Sequence, residues 1–339
     1  MPTIHDVAKK AKVSIAAVSL VMNDPNTHRV GAAKRQIILD IATEMGYSAN
    51  GIAKALILGE TKILGLVVPM RDPIFFNHFI AQVLSGIQAA ILKHGYHLMI
   101  YSHQAETGEI TTAEIKQSRF ADGLIVLNTR MCTEQDQQNT IHELNAARIP
   151  FVMANCYSGK HPINYVGLDD HGAGLLGGEF LASRGHKQIA LISGAQKSPM
   201  SLTLLAGFTK ALKTKKLRFD PKLHVYSEYD PQRIIETVEK WMKSKKRPTA
   251  IFCADDQFVP EVYSVIQASG LKIPEDVAVL GRGDMTLGTA VVPHLSTISV
   301  PGFQMGNQAA ELLIAQLQNR AAKPKRVILP CNLVPRSSV

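Results

Sequence analysis

From Lys62 onward the chain alternates short apolar runs with helix-like segments, and few folds accept that rhythm. The runs fall at 63–68, 97–101, 123–127 and 151–154, then at 188–192, 250–253 and 277–280. A strand that is apolar on both faces must be covered on both faces, and helical connections return the chain to a parallel neighbour. The pattern predicts an α/β architecture with parallel sheets. Two sets of four or so strands predict two similar lobes.

The first sixty residues read differently. Ile4, Val7, Ala8 and Ala11 recur on one helical face, with Thr3 placed to cap the helix and Asp6 three positions on. After a break at Lys12-Val13, Ser14 is placed to cap a second short helix reaching about Met22, with Ala17, Val18 and Val21 turned inward. A third helix is expected from about Ala32 to Met45, ending at Gly46. Two short helices around a tight turn, backed by a third, form a helix-turn-helix unit, whose second helix enters the major groove of DNA. Its outer residues are Ser14, Ile15, Ala16, Ser19 and Leu20. An ordinary three-helix bundle has the same pattern, so patterning alone does not decide for DNA.

Composition narrows the classes. The net charge of +9 suits a polyanionic partner without proving one. The surplus is not concentrated in the first 62 residues, which hold eight Lys/Arg against five Asp/Glu. The runs at 213–216 and 243–247 end helix-like segments, where cations complement the helix dipole. Cys132, Cys156, Cys253 and Cys331 are too scattered for a zinc site or a redox pair. No apolar run approaches the ~20 residues of a membrane span, and the N-terminus lacks the apolar stretch of a signal peptide. The expectation is a cytoplasmic protein with no membrane partner, no metal and no cofactor.

Gly172, Gly174 and Gly177 fit the dinucleotide pattern G-x-G-x-x-G, but the acidic residue wanted about 20 positions further on is missing. Close helix packing is the expected role of those glycines. His94 and His97 flank Gly95, which reads as a helix end, so they are not expected to share a helical face. No nucleophile elbow, P-loop or acid/base pair stands out, and no catalytic residue is assigned.

The wording of several segments closely resembles the lactose-repressor (LacI/GalR) family. TIHDVAKKAKVSIAAVSLVMN at 3–23 and EMGYSANGIAKAL at 44–56 carry the resemblance at the front. NYVGLDD at 164–170, RGHKQIA at 184–190, LAGF at 205–208, IPEDVAVLG at 273–281 and Leu329-Pro330 extend it to the end of the chain. The resemblance implies a small all-α helix-turn-helix DNA-binding domain at 1–49 and a hinge helix and linker at 50–61. Residues 62–339 then form a periplasmic-binding-protein-like core of two parallel-sheet lobes, crossed by the chain near 160, 291 and 322. It implies a homodimer on a pseudo-palindromic operator, with nothing arguing for assembly beyond a dimer. Thr3, Asn23, Asn50, Ala53 and Lys54 join the outer residues of the second helix as DNA-binding positions. Leu56 is placed as a minor-groove wedge that kinks the duplex. Phe75, Phe76, Asn128, Asn155, Leu204, Asp255, Arg282 and Asp284 fall at effector-binding positions.

Departures from the family pattern carry expectations of their own. Lys12 stands where the turn usually has Gly, and Ala49 where Pro usually precedes Asn50. Leu20 replaces a frequent Arg, which reads guanine through two hydrogen bonds; Leu offers apolar contact such as that with a thymine methyl. In the crevice, Leu204 stands in place of Arg and Gly283 in place of Asp. Arg282 replaces Phe and has two readings: a ligand donor, or a residue facing solvent or paired with a carboxylate. Simple neutral hexoses or pentoses are expected to be poor effectors. A less polar ligand, an anion met by Arg282, or no effector remain. The function expected is that of a transcription regulator, a repressor of a catabolic or transport operon. Its alternatives are an effector-independent regulator, a solute-binding protein or a sugar-handling enzyme.

Overall fold

The computed structural model describes residues 2–48, 59–68, 77–102, 120–128, 132–155 and 161–339. They form two compact units, Met1–Lys62 and Ile63–Val339. The expected hinge helix at about 50–58 lies outside the described residues.

In the first unit α1 (Ile4–Ala11), α2 (Ile15–Asn23) and α3 (Ala32–Glu44) follow the expected order. Thr3 and Asp6 form a reciprocal capping box. Lys12 closes α1 in the left-handed conformation with φ 53°, the strained geometry expected for a side chain at a glycine position. Ser14 Oγ accepts from the Ala17 amide at 3.2 Å, and Gly46 follows α3 at φ 62°. Val7, Val18, Val21 and Ile38 meet at the centre with no exposed surface.

The second unit holds two six-stranded sheets. The N-lobe contains β1 (Ile63–Val68), β2 (His97–Ser102), β3 (Gly123–Leu127), β4 (Phe151–Ala154), β5 (Asn164–Leu168) and β11 (Arg326–Leu329). Their spatial order is β11-β5-β4-β3-β1-β2, with parallel neighbours throughout. The C-lobe contains β6 (Ile189–Ser193), β7 (His224–Tyr226), β8 (Ala250–Cys253), β9 (Ala278–Gly283), β10 (Ser296–Ser299) and β12 (Asn332–Val334), in the order β12-β10-β9-β8-β6-β7. Its neighbours are also parallel, except that β12 runs antiparallel to β10 on the edge. The connections include α4 (His78–His94), α5 (Glu134–Ala146), α6 (Asp170–Ser183), α7 (Pro199–Thr214), α8 (Pro231–Met242), α9 (Val259–Ala268), α10 (Leu287–Ala290) and α11 (Gly302–Gln318).

The sheet membership corrects the expected crossovers. The chain passes from the N-lobe sheet at Leu168 to α6, from β10 of the C-lobe to α11, and from β11 at Leu329 to β12. The crossings therefore fall about 169, 300 and 330 instead of 160, 291 and 322. Each was expected some eight or nine residues early: β5, β10 and β11 are four or five residues long and mix polar with apolar side chains, so none stood out as a further strand of its lobe.

Among the described residues each lobe has a helix pair whose backbones approach closely at glycines. In the N-lobe a Cβ on Gly86 of α4 would stand 1.9 Å from the Phe303 carbonyl oxygen of α11, and one on Gly306 would stand 2.0 Å from that of Val83. In the C-lobe Gly174 of α6 faces the Leu204 carbonyl of α7 at 2.1 Å, and Gly207 faces that of His171 at 2.0 Å. Gly177 lies against the Phe252 ring. Of the glycines in the dinucleotide-like pattern, Gly174 thus serves helix packing, whereas Gly177 makes room for a strand residue and Gly172 for the Asp169 carboxylate that caps α6. Gly95 ends α4 at φ 67°; His94 meets Glu311 at 2.9 Å while His97 opens β2.

Candidate DNA-reading face and effector crevice

α2 presents two opposite faces. Val18 and Val21 are enclosed, whereas Ile15 and Leu20 are 43% and 36% exposed. Ser14, Ala16 and Asn23 are exposed with them, and Ser19 is half-buried. The Asn23 side-chain amide reaches Ser19 Oγ at 3.4 Å, which ties together two of the few polar groups on this face. Thr3 is exposed, but its hydroxyl is engaged with Asp6 Oδ2 at 2.7 Å. Those hydrogen bonds lower the Asp6 carboxyl below its usual value. The face is poor in hydrogen-bond donors and carries two large apolar side chains, matched to methyl groups more than to guanine edges. Asn50, Ala53, Lys54 and Leu56 lie outside the described residues.

The second candidate site is the crevice at the carboxyl ends of the strands, where open α/β sheets place their ligands. Asn128 and Asn155 follow β3 and β4 and are 4% and 5% exposed. Each donates its side-chain amide to the other's backbone carbonyl at 3.0 Å. Their NH2 groups are thereby committed to joining two strand ends. Asn155 sits at φ 63°, a conformation that Asn tolerates. Its Oδ1 is buried and has no hydrogen-bond partner among the described residues. Phe75 and Phe76 lie outside the described residues.

On the C-lobe side Arg282 is paired with a carboxylate, as one of its readings expected, and is not turned to solvent. It is 6% exposed, so it does not face solvent, and its guanidinium is ion-paired with Asp170 at the first position of α6. A second nitrogen of the guanidinium lies 3.5 Å from Met200 Sδ in the first turn of α7. Burial pushes the Asp170 carboxyl up to about 6, outweighing the pull of Arg282. Cys331 is also buried beside this pair, and its thiol is pushed up to about 11.

Leu204 corrects the expectation of a crevice-lining residue: it is fully enclosed and belongs to the hydrophobic core with Phe208 and Ala173. An apolar side chain on the inner face of α7 gains more from that core than from a polar crevice. Asp284 accepts from Arg336 at 2.6 Å. Asp255 stays partly open and caps a short 3-10 turn, accepting from Gln257 N at 3.0 Å. Asp256 beside it is closed off entirely, bound by Met285 N at 2.9 Å and Thr297 Oγ1 at 2.9 Å. Burial pushes its carboxyl up to about 6.

Sequence reasoning missed Asp170 and Met200, which meet Arg282, and the enclosed hydroxyls of Ser198 and Ser201, which have no hydrogen-bond partner among the described residues. Asp170 had a signal, since paired aspartates between a strand and a helix fit an N-cap and a first-turn position. Asp169 takes the cap, accepting from Gly172 N at 2.7 Å, which leaves Asp170 for another partner. Among the described residues no group of three His, Cys, Asp or Glu side chains is arranged to hold a metal ion. No helix among them is long and apolar enough to cross a membrane.

Comparison with known proteins matches both parts of the chain. Residues 3–50 match the family of bacterial regulatory proteins of the lacI type. Residues 179–339 match a periplasmic binding protein-like domain. The ribose operon repressor of Haemophilus influenzae is 28% identical over 340 residues, covering 100% of this chain and 99% of the relative. The transcriptional repressor CytR of Escherichia coli strain K12 is 28% identical over 342 residues, covering 99% and 96%. Among solved structures, a complex of the regulator CelR with cellobiose superposes with a TM-score of 0.74 at 25% identity over the whole of both chains. The lac repressor dimer bound to operator shares the fold, with a TM-score of 0.85 at 24% identity over 99% of this chain and 98% of that one. The helix-turn-helix, the two-lobed core and these full-length relatives agree: the chain joins a DNA-binding domain of the bacterial lacI regulatory family to a periplasmic binding protein-like domain.

Proposed function

We propose that this protein is a homodimeric repressor that binds a pseudo-palindromic operator and changes its operator affinity when a small molecule enters the inter-lobe crevice. The observation that carries the reading is the outer face of α2, where Ile15 and Leu20 stand exposed beside Ser14, Ala16 and Asn23. Two large apolar side chains held in water on a short capped helix are suited to contacts with base methyl groups. Two such helices must share one two-fold axis to read two half-sites.

The domain assignment is 1–49 for reading DNA, 50–61 for the hinge and 62–339 for sensing and dimerisation. Leu56 acts as the wedge between base steps of the minor groove. Effector binding closes the lobes and biases hinge-helix formation, a coupling between two sites through one two-state element. The protein works in the cytoplasm at the nucleoid, where its DNA partner lies.

Protection of a defined fragment, selected from random DNA, tests the reading. Protection of two half-sites about one helical turn apart or multiples of it is expected; uniform protection of every fragment would reject sequence-specific regulation. One observation favours a second reading, that of an effector-independent regulator. Leu204 is enclosed in the core and Arg282 is paired with Asp170, so two effector positions are already satisfied internally. A repressor whose operator affinity no metabolite alters would support it.

A further inference from the structure

The positive charge of the protein gathers at one end of the C-lobe. The strands β6, β7, β8 and β9 are parallel. The helices α6, α7, α8 and α9 each lead into one of them, so all four finish at the amino ends of the strands, opposite the crevice. From the last turn of each helix to the strand it feeds, residues 180–188, 211–223, 239–249 and 265–277 hold thirteen Lys/Arg against four Asp/Glu. That surplus of nine equals the +9 of the whole chain, so the remaining residues balance to zero.

The segments are joined into one face. The His186 ring meets Thr249 Oγ1 at 3.1 Å, and Trp241 Nε1 donates to the Lys222 carbonyl at 3.0 Å. Twelve of the thirteen cations are exposed, and Arg247 is half-buried. Among the described residues their one ion pair joins Lys243 to Glu239 at 3.2 Å. The carboxylates of Asp220 and Asp276 are taken by the backbone amides of Lys222 and Lys272. Helix dipoles account for Lys213 and Lys240 in last turns and for Arg184, Lys215 and Lys243 at C-caps. The dipole falls off within that last turn, which leaves the other eight cations without this reason.

Like charges massed on one face repel one another, and a polyanion relieves them. The composition of the face selects which one. It has ten Lys and three Arg, and no large apolar side chain is exposed in these segments. Protein interfaces are depleted in Lys and enriched in aromatic residues. Membrane-surface helices add an apolar face to their cations, and single strands want exposed aromatic platforms. Duplex phosphates ask for cations alone. The four neighbouring strands span about 15 Å, over which a duplex carries about nine phosphate charges.

We infer that this pole of the C-lobe is a second DNA-binding surface, which holds the phosphate backbone of a duplex without reading its sequence. It is separate from the outer face of α2, so a protein seated on its operator takes up a second duplex segment and bridges the two.

The test seats the full-length protein on a bead-bound operator fragment selected from random DNA and washes away what is free. A labelled duplex of unrelated sequence is then added. Capture is expected at about 50 mM salt and its loss by about 200 mM. Lys187→Gln, Lys216→Gln, Lys245→Gln and Lys246→Gln together should weaken capture about tenfold or more. They should also flatten the slope of log affinity against log salt by about three, with retention on the operator unchanged. Arg at the same four positions should keep the capture, which separates lost charge from a lost fold.

No capture by the unaltered protein, or capture untouched in the Gln variant, overturns the surface. Phosphatidylglycerol vesicles and polyglutamate are offered to the same beads. Binding of either in place of the duplex assigns the pole to a membrane or to an acidic protein and overturns it too. If no operator can be selected, the regulator reading fails by itself. The protein is then coupled to the beads directly, and the comparison of the Gln and Arg variants still decides.

Discussion

Arg282 at the end of β9 and Asp170 at the start of α6 form an ion pair whose side chains are 6% and 8% exposed. Removing one partner from so buried a pair strands the other's charge, at a cost of about 3–5 kcal/mol. Arg282→Met is therefore expected to lower the urea midpoint of the core sharply. Arg282→Met combined with Asp170→Asn should recover most of the loss. A double variant no more stable than the single one would show that the pair's charges are screened.

Asp256 gives the protein a pH response of unusual sign. Its carboxyl titrates at about 6 in the folded protein and near 4 when unfolded. Between those values the folded state binds the extra proton, so this group's contribution to stability falls as pH rises through the window. The slope is at most about 1.4 kcal/mol per pH unit. Asp170, also at about 6, acts in the same direction. Unfolding free energies from urea titrations at about pH 5 and about pH 7 should differ less in Asp256→Asn than in the unaltered protein, by about 1.3 kcal/mol. An identical difference in both would mean that Asp256 stays ionised throughout.

Leu20→Arg should redirect DNA reading without disturbing the fold, because Leu20 is 36% exposed and outside the core of the small domain. Selection from random DNA is expected to shift one position of each half-site towards guanine, with discrimination of about 1–3 kcal/mol. An unchanged selection profile would place Leu20 away from the bases.

Gly174→Ala tests the contact between α6 and α7. The added methyl would stand 2.1 Å from the Leu204 carbonyl oxygen, so the helices must separate. The expected loss is about 1–3 kcal/mol or more, read as a lower melting temperature. Gly185→Ala has open space around it and tests something else, since φ 91° there strains any side chain. A Gly174 variant as stable as the parent would show that the two helices can slide.

Local signals made the small domain legible. Thr3, Asp6 and Ser14 announce helix starts through short-range hydrogen bonds, and the spacing of Val7, Val18 and Ile38 announces the core. The strands enclosed on both faces were equally plain in β1, β3, β4 and β8. Edge strands were not: β11 alternates exposed and half-buried residues, and β7 has only three residues. The crevice was legible as a set of positions and illegible as a network. Whether Arg282 meets a ligand or Asp170 depends on a contact across 112 residues. Leu204 shows the same limit, since its neighbour in space is Gly174. The orphan hydroxyls of Ser198 and Ser201 are defined by what surrounds them, and sequence spacing carries no record of that.

The touching of α4 and α11 through Gly86 and Gly306 has a consequence for how the protein is made. The N-lobe is built from residues 63–168 together with 302–329, and the entire C-lobe sheet except its last strand lies between those pieces. As the chain leaves the ribosome, the first hundred residues of the core expose the groove of α4 and the open side of β5 until α11 and β11 arrive. Closing contacts over so long a separation is slow, and the waiting surface is prone to aggregation. The C-lobe is complete but for β12 before α11 is synthesised, so the second lobe in the sequence is the first able to fold.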